Sequence, residues 1–411
     1  MRNDCFALPP GVNWTPVDDA LADLRSRLSA VTQVETLHVA DAFGRCLAAP
    51  VLARRAHPPL PNTAVDGYGF AGGRGQGTHA LPLVTDVAAA GAAPDVIVPD
   101  GHAIRILTGA ALPLGVDTVL LQEEADVTDG TLRFDGPVKA GANTRKAGED
   151  VTEGQVVAEA GRRLTAADLG LLTATGVAEV AVRAPLRVAI LSTGDELVPA
   201  GQVAAPGQIY DANGPMLRAQ ITALGHRVVH QGHVADDRAA LRAALDAASE
   251  VADVILTSGG ASAGDEDHVS ALLQDTQSMA LWRIAIKPGR PLALGVWNGA
   301  PVFGLPGNPV AALVCTLVFA APALSLLAGG RWFAPHGFDL PAAFTKRKKP
   351  GRREFLRARV RDGRVEAFAS EGSGRISGLS WAEGLVELPD GALDVAPGDP
   401  VRFIPWAGFA G

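Results

Sequence analysis

The segment 304–330, which reads GLPGNPVAALVCTLVFAAPALSLLAGG, contains no charged residue and constrains the fold more than any other stretch. A helix of about 20 apolar residues is long enough to cross a membrane. The start of the segment favours another structure, because Asn308 is a good helix N-cap and Pro309 suits the first helical position. We therefore predict a buried helix, kinked near Pro322, whose N-terminus follows a Gly/Pro turn and can bind an anion. No other stretch is typical of a membrane span or a signal peptide, so we expect no membrane partner.

The composition is typical of a globular protein, and 411 residues suffice for about three domains. Hydrophobic residues make up 47%, and the formal charge of −8 argues against nucleic acid as a partner. The basic run TKRKKPGRRE at 345–354 is an exception, and we interpret it as a solvated hairpin rather than a phosphate-binding patch. Cys5, Cys46 and Cys315 have neither metal-ligand nor redox spacing, which favours a reducing, cytoplasmic environment.

Strands and helices alternate between about residues 184 and 330. Leu241, Leu245 and Ala248, for example, recur at the spacing of one helix face. This alternation predicts a parallel sheet with helices on both faces. Ligands of such sheets bind beyond the carboxyl ends of the strands. The predicted strands are 186–193, 226–234, 252–260, 281–289, 292–297 and 301–307.

Three loops follow predicted strands at that edge: STGDEL, TSGGASAGDED and GLPGNP. Glycines in such loops can turn backbone N–H groups toward a ligand, and Ser258 and Ser262 add hydroxyl donors. Carboxylates beside phosphate-binding loops, with Lys287 nearby, suggest Mg²⁺ bridging to a phosphorylated ligand. The simpler alternative is that the acids cap helices and the glycines form plain turns, and the residues alone leave both open. The acids are Asp195, Glu196, Asp265, Glu266 and Asp267.

The motifs TGDEL, GGASAGDED, AIKPGRP and GLPGNP resemble, in order and spacing, the molybdopterin-binding domain of the molybdopterin molybdenumtransferases. This family includes relatives of the C-terminal domain of gephyrin. The resemblance continues upstream in PPLPNTAVDGYGF (58–70), IRILTGAALPLGVDTVLLQEE (104–124) and NTRKAGEDV (143–151). Small molybdopterin-binding proteins share only the α/β segment, so the upstream motifs distinguish the two groups.

The resemblance implies a multidomain α/β plus β fold with four parts. An elongated helical and β dimerisation domain would combine residues 1–50 and 147–183, with a β-rich domain inserted at 51–146. A three-layer αβα molybdopterin-binding domain would occupy 184–330, and a C-terminal β-barrel 331–411. The segment 354–369 also reads independently as two strands around an Asp-Gly turn.

The family reaction implied for this chain cleaves AMP from adenylylated molybdopterin with Mg²⁺ and inserts molybdate. Motif matching assigns Glu196, Asp236 and Asp267 to metal binding or catalysis, and Lys287 to the phosphate. Such assignments fit the need to neutralise charge when a pyrophosphate is cleaved. The residues matched to binding of the molybdopterin substrate are Thr193, Gly194, Ser258, Gly259, Gly260, Ser262, Arg290, Pro306, Gly307, Asn308, Pro309 and Ser373.

The resemblance also implies a homodimer whose active site is shared between chains. Asp66 and Thr108 of the insertion would lie over the partner's α/β cleft, and Asp150 matches another acid on that side. Without the resemblance, Asp66 reads as part of an Asp-Gly turn. Contacts with a molybdopterin adenylyltransferase and with apo-molybdoenzymes are further expectations of the resemblance.

Two positions depart from the family pattern, because Arg283 and Arg290 stand where relatives often carry lysine. A planar guanidinium contacts phosphate differently from an ammonium, which leaves their roles open. A non-catalytic molybdopterin-binding or scaffolding protein is the alternative function, although the intact acids and Lys287 favour an enzyme. A nucleotide-binding α/β enzyme without molybdenum does not explain the DGY and TGA motifs. Molybdate and tungstate are not distinguished.

Overall fold

The computed structural model describes residues 14–92, 95–259, 268–275, 280–289 and 291–409. Its hydrophobic residues form several separate cores, as expected for a chain of several domains. The α-helices are Val17–Arg27, Ala166–Ala174, Asn213–Ala223, Arg238–Val251, His268–Asp275, Pro309–Cys315, Ala321–Leu327 and Ser377–Trp381.

A six-stranded sheet forms the centre of the α/β domain, and its spatial order differs from the chain order. Its first four strands are parallel, but the fifth is antiparallel to both neighbours, so the prediction of a purely parallel sheet is wrong. The reason is a two-residue hairpin at Asn298 and Gly299, whose φ angles of 48° and 88° suit a tight turn that reverses the chain. In spatial order the strands are Arg227–Val234, Arg187–Thr193, Val254–Ser258, Ala300–Leu305, Pro291–Trp297 and Ala280–Arg283.

Helices cover both faces of this sheet. In its strand Arg187–Thr193, Val188 and Ile190 belong to one core, while Ala189 and Leu191 belong to the other. This period-2 alternation divides the apolar residues between two helix layers. The helices that contribute to the first core include Asn213–Ala223, Pro309–Cys315 and Ala321–Leu327, and those of the second include Arg238–Val251 and His268–Asp275.

The uncharged segment forms one continuous helix over Pro309–Leu327. Among the described residues it is the one helix long and apolar enough to cross a membrane. Of its apolar stretch, 83% is buried inside the fold. A π-helical turn at Thr316–Ala320, in which the Ala321 N–H bonds to Thr316 O, precedes Pro322. Proline has no N–H to donate, so the helix adjusts its hydrogen bonding at the predicted irregularity. Packing within the chain thus accounts for the apolar composition.

The segments predicted to form a dimerisation domain are joined by an antiparallel pair, Val34–His38 with Glu179–Arg183. A second pair joins Val51–Leu52 to Val156–Ala158. The N-terminal helix Val17–Arg27, which we assigned to this domain, instead buries Val17, Ala20 and Leu24 in the α/β core. Apolar residues on its inner face explain this placement. The role of the region in dimerisation stays a prediction.

The inserted segment folds around a six-stranded sheet of its own. Its core includes Phe70 and Phe134, whose rings stack with centroids 5.4 Å apart. This sheet agrees with the predicted β-rich character of the segment, although its outer boundaries stay a prediction. In spatial order its strands are Thr118–Leu121, Gly67–Phe70, Ala103–Ile106, Arg74–Ala88, Thr131–Val138 and Asp126–Thr128; the short strand Asn62–Thr63 pairs separately with Thr144–Arg145.

The C-terminal sheet surrounds a separate apolar core. Asp362 and Gly363 form its Asp-Gly turn with φ angles of 49° and 70°, which confirms the predicted hairpin. The Ala343 N–H bonds to Val365 O at 2.7 Å, which joins the chain just after the strand Phe338–Pro341 to the strand Arg364–Ala367. The strands that follow residue 337 are Phe338–Pro341, Lys346–Lys348, Arg353–Arg361, Arg364–Ala367, Gly384–Leu388, Leu393–Val395 and Pro400–Pro405.

One strand of this sheet comes from within the α/β segment. Ile286–Lys287, which we predicted as part of a single strand 281–289, pairs in parallel with Arg353 and Glu354. The chain therefore leaves the α/β sheet after Arg283 and enters the C-terminal sheet three residues later. Lys287 consequently lies at the junction of the two domains.

The basic run is not a solvated hairpin. Lys346–Lys348 pairs with the distant strand Leu393–Val395, and within this short strand only Arg347 points into solvent, with a side chain 91% exposed. Alternation along the strand turns Lys346 and Lys348 inward. The Lys348 ammonium donates to backbone carbonyls, while Lys346 contacts carboxylates beside Lys287.

Candidate functional site

Three loops of the α/β domain meet at the carboxyl ends of its parallel strands. The Gly259 N–H bonds to Leu305 O at 3.2 Å, which joins the second loop to the third. A Cβ on Gly259 would lie 2.5 Å from Thr193 O, and a Cβ on Gly307 would lie 3.5 Å from Gly259 Cα. Glycine is therefore required at Gly259, where φ is also 98°. The loops that we predicted at this edge are packed backbone against backbone.

Asn213, which sequence reasoning did not assign, links the second and third loops through its side chain. Its buried side-chain amide donates to Ser258 Oγ at 2.7 Å and to Gly307 O at 2.6 Å. Asn213 Oδ1 and Thr193 Oγ1 are buried without a hydrogen-bond partner in the described chain. Buried polar atoms of this kind are rare and call for a ligand, water or ion. The signal in the sequence was DANG, a cluster of turn-forming polar residues directly before a helix.

Carboxylates lie on two neighbouring loops of the same edge. The Asp236 N–H donates to Asp195 Oδ1 at 3.0 Å, and the Asp195 N–H is 3.4 Å from Asp236 Oδ2, so the two loops hold each other. Glu196 folds back over Gly194, where a Cβ would lie 2.5 Å from its Oε2. His233 Nε2 contacts Gly194 O at 2.7 Å and fixes the backbone of the first loop. All three carboxylates are exposed and open to a cation.

These oxygen donors suit Mg²⁺ chemically, because hard cations prefer carboxylate oxygens. The described ranges contain no group of three or more His, Cys, Asp or Glu side chains arranged to hold a metal ion. Glu196 and Asp236 are exposed carboxylates that could supply part of a donor set, and the third assigned acid, Asp267, falls outside the described residues. Gly260, Ser262 and Arg290 also fall outside them.

Lys287 is held in an ion-pair cluster at the domain junction. Its ammonium lies 2.5 Å from Glu371 Oε2 and 3.5 Å from Glu354 Oε2. Lys346 contacts both glutamates as well, at 3.1 Å from Glu354 Oε2. Burial alone would raise the pKa of Glu371, but hydrogen bonds from the two lysines outweigh it and lower that pKa. Two cations and two anions thus share one partly buried site, of which we predicted only Lys287.

The loop that contains Ser373 sits on the N-terminus of the long helix. Ser373 O accepts a hydrogen bond from the Val310 N–H at 3.3 Å. Asn308 occupies the N-cap position but makes no side-chain capping bond, so the expected cap is wrong in that detail. The neighbouring carbonyl, rather than the Asn308 amide, satisfies a first-turn N–H group.

Arg357 holds this loop in place. Its buried guanidinium donates to Arg375 O at 2.6 Å and to Gly372 O at 3.2 Å, and it also contacts Ser370 O. Burial lowers the pKa of Arg357, as does the nearby Arg375. Sequence reasoning missed Arg357, because an arginine within a strand pattern usually points into solvent. A small cavity between Lys287, Val310, Arg357 and Glu371 connects the loop with the lysine cluster.

Asp66 and Thr108 come together within the inserted domain. Asp66 Oδ1 accepts bonds from the Thr108 N–H and from Thr108 Oγ1, both at 2.6 Å. The Thr108 hydroxyl and then its backbone N–H lower the pKa of the Asp66 carboxyl. These bonds stay inside the insertion and do not join it to the α/β loops. Asp150 and Arg283 are exposed, and Pro306 is buried behind the third loop.

Three family models match the chain in succession. The model described as "MoeA N-terminal region (domain I and II)" matches residues 15–176. "Probable molybdopterin binding domain" matches 189–326, and "MoeA C-terminal region (domain IV)" matches 339–406. The matched ranges follow the order of the segments described above.

Full-length relatives and solved structures are also similar. The chain is 35% identical over 397 residues to the molybdopterin molybdenumtransferase of Haemophilus influenzae, covering 95% of this chain and 98% of the relative. It is 34% identical over 382 residues to molybdopterin molybdenumtransferase 2 of Mycobacterium tuberculosis, covering 89% and 94%. A crystal structure titled as a molybdopterin biosynthesis MoeA protein from Pyrococcus horikoshii has a TM-score of 0.76 at 30% identity, covering 97% of this chain and all (100%) of that chain. Another crystal structure, of a molybdopterin biosynthesis MoeA protein from Pyrococcus horikoshii OT3, has a TM-score of 0.83 at 26% identity, covering 96% of this chain and 100% of that chain.

Proposed function

Since this chain belongs to the molybdopterin molybdenumtransferase family, we propose that it inserts molybdate into adenylylated molybdopterin and releases AMP. It is a transferase of molybdenum cofactor biosynthesis. The observation that best supports the detailed reaction is the meeting of three strand-end loops beside open carboxylates, next to a helix N-terminus that adjoins the Lys287 cluster.

The roles of individual side chains follow from charge. The ligand is a pyrophosphate ester, so the site must offer cations where negative charge accumulates as AMP departs. Lys287 and Lys346 supply two ammonium groups, and Arg357 orients the loop of Ser373 toward the same cavity. Glu196 and Asp236, together with Asp267, would hold the divalent cation. Mg²⁺ in that position would neutralise charge on the cleaved phosphates.

The oligomer and the compartment are parts of the same proposal. In a homodimer, Asp66 and Thr108 of one chain would complete the cleft of its partner, since their own hydrogen bonds do not connect them with the α/β loops. A cytoplasmic location is supported by Cys46 and Cys315, which are free thiols. Contacts with the enzyme that adenylylates molybdopterin and with apo-molybdoenzymes would pass on unstable intermediates.

The proposal is tested by incubating the protein with adenylylated molybdopterin, Mg²⁺ and molybdate while AMP is quantified. We expect Glu196→Gln to bind the ligand but to release AMP at least ~100-fold more slowly, because a preorganised charge commonly contributes on that order. Glu250→Gln, an exposed acid on the helix Arg238–Val251, is the matched control and should react like wild type. Ligand binding without AMP release by wild-type protein would instead favour the non-catalytic binding alternative.

A further inference from the structure

A cavity of about 320 Å³ lies at the amino edge of the α/β sheet, opposite the loops of the candidate site. Pro185 and His226, which each precede a parallel strand, form one wall. Arg163 of the preceding region and Arg331, just after the long helix, form others. The cavity is therefore a junction of three parts of the chain and is separate from the proposed transferase site.

Arginine dominates the charge of this cavity. Its described lining residues contain no aspartate and no glutamate. A concentration of one sign of charge within low-dielectric walls raises the local concentration of the opposite ion. The arginines of the lining are Arg45, Arg162, Arg163, Arg183 and Arg331.

The guanidinium groups of Arg45 and Arg162 are each paired with a carboxylate that does not line the cavity. Arg45 pairs with Glu35, and Arg162 lies 2.8 Å from Asp168 Oδ1. Arg183, by contrast, donates through Nη1 to the backbone carbonyl of Thr32 at 2.8 Å. A backbone carbonyl carries no formal charge, so it leaves the positive charge of Arg183 uncompensated.

Arg331 and Arg163 also donate to backbone carbonyls. Arg331 donates through Nε and Nη2 to Ala160 O, both at 3.3 Å, and Arg163 donates through Nε to Gly44 O at 3.2 Å. The Arg163 guanidinium lies over Gly225, where a Cβ would meet Nη2 at 2.9 Å. Gly225 thus leaves the space into which this cation extends.

The remaining walls set the size and character of a ligand. Leu224, Ala321 and Phe333 add apolar surface. Burial and, to a smaller extent, the nearby Arg163 lower the pKa of His226 to about 4, so His226 is neutral at pH 7 and adds no charge. The volume lies near the lower limit of about 300–1,000 Å³ for small-molecule pockets. It is larger than a bare tetrahedral anion requires.

We propose that this cavity is a second anion site, which binds a small phosphate monoester with its phosphoryl group between Arg163, Arg183 and Arg331. The apolar wall would contact the body of the ester. Bidentate guanidinium contacts are the usual means of holding a phosphate in proteins. Because the ligand would touch three parts of the chain, its binding would also stabilise their junction.

The test is titration calorimetry with phenyl phosphate and with inorganic phosphate at physiological ionic strength. It is performed on wild type and on Lys287→Ala, which removes a proposed phosphate contact of the transferase site. We expect saturable binding that persists in Lys287→Ala and is tighter for phenyl phosphate, which can also contact the apolar wall. Equal affinity for the two probes would assign the site to free phosphate, and loss of binding in Lys287→Ala would overturn the second site while leaving the transferase proposal intact.

Arginine variants test the geometry. We expect Arg331→Gln and Arg163→Gln each to weaken phenyl phosphate binding at least about tenfold, and Arg331→Lys to retain part of the affinity. Arg347→Gln, whose side chain is 91% exposed in the native protein, is the control and should bind normally. Thermal unfolding of wild type is also measured with each probe. If neither probe raised the unfolding temperature, the arginines would only hold the three parts of the chain together, and the proposal would be overturned. Absence of saturable binding to wild type would overturn it as well.

Discussion

Lys287, which we propose contacts the anionic ligand, is already paired with Glu371 and Glu354. An incoming phosphate must therefore compete with carboxylates of the same protein. Lys346 reduces this competition because it shares both glutamates and leaves neither dependent on Lys287. The contribution of Lys287 to the free energy of substrate binding would thus be the difference between its interaction with the phosphate and its interaction with the two carboxylates.

Glu371→Gln should strengthen binding of adenylylated molybdopterin about two- to fivefold, since an exposed ion pair contributes about 0–1 kcal/mol. Lys287→Ala should weaken it by about 1.5–3 kcal/mol, as expected for a lost charge-assisted phosphate bond. Titration calorimetry measures both. Unchanged affinity in Lys287→Ala would mean that the lysine only pairs with the glutamates.

The same cluster has a pH dependence with a defined sign. The pKa of folded Glu371 is lowered from 4.5, so its contribution to stability is fully present above that value and is lost as pH falls through the folded pKa. The free energies of unfolding of wild type and Glu371→Gln in urea should therefore differ at pH 7, and the difference should shrink as the pH falls below 4.5 and through the folded pKa. Glu250→Gln serves as the control, with a difference from wild type that stays constant with pH. A Glu371→Gln difference that grew on acidification would contradict the pairing.

Local motifs predicted the positions of single residues well where a polar residue and the strand that positions it are adjacent in the sequence. Asp195 and Glu196 follow a strand within one motif, so their position at the sheet edge was predictable. Glu371 and Lys346, which surround Lys287, come from strands and loops far along the chain, and no spacing rule connects them. Asn213 was missed for the same reason, because its partners Ser258 and Gly307 are brought to it only by the fold.

At the scale of elements, the close approach of strand ends governs the shape of the site. The turn after Val254–Ser258 leaves no space for a side chain at Gly259, whose neighbour is the carbonyl of Thr193. The ends of the neighbouring strands therefore fix the backbone at Gly259. This kind of preorganisation is more accurate than a site built on independent loops.

Gly259→Ala tests this close approach. It combines a strained positive φ, which costs about 1–2 kcal/mol in an L-residue, with a contact of 2.5 Å to Thr193 O. Gly201→Ala is the matched control, because Gly201 has a φ of 94° but no atom within 4 Å of its Cβ position. We expect both variants to lose stability in thermal unfolding, and only Gly259→Ala to lose ligand affinity. Equal effects of the two variants would show that backbone strain alone matters at Gly259.

Sequence patterns predicted the long helix and its irregular region, but not the π turn that precedes Pro322. The reason is that a missing N–H can be accommodated by a kink or by a shift of hydrogen bonds, and tertiary packing selects between them. The strand Pro291–Trp297 was predicted, but its antiparallel direction was missed, although Asn298-Gly299 is a strong hairpin signal. The alternation of strands and helices led to the prediction of a parallel sheet, and the hairpin signal at Asn298-Gly299 was not weighed against it.

For the whole molecule, the decisive question is whether one chain builds a complete site. Asp66 and Thr108 are bonded to each other inside the insertion, whereas Glu196 and Lys287 belong to the α/β domain and its junction. The homodimer proposed above would unite them across two chains. Sequence motifs indicated the residues of the insertion and those of the α/β domain. They did not indicate how far apart these residues lie, because the order of motifs along one chain contains no information on the position of a second chain.

Mixing inactive Asp66→Ala with inactive Lys287→Ala protein tests the shared site. Each heterodimer would have one intact site and one doubly damaged site, so activity should return to about a quarter of wild type at random exchange. Mixing Asp66→Ala with Thr108→Ala, two changes on the same side, is the control and should restore nothing. No recovery after verified subunit exchange would mean that each chain builds its own site.

The crossing of Ile286–Lys287 into the C-terminal sheet has a consequence for the order of synthesis and for gene rearrangement. A ribosome completes this edge strand before it has made any other strand of that sheet, so the strand must wait for its neighbour Arg353–Arg361. A gene fusion that copied only the part after residue 330 would leave the edge at Arg353 and Glu354 without its partner and open to pairing with foreign chains. The α/β segment and the C-terminal sheet therefore need to stay in one chain, and the lysine that would bind substrate lies at the junction between them.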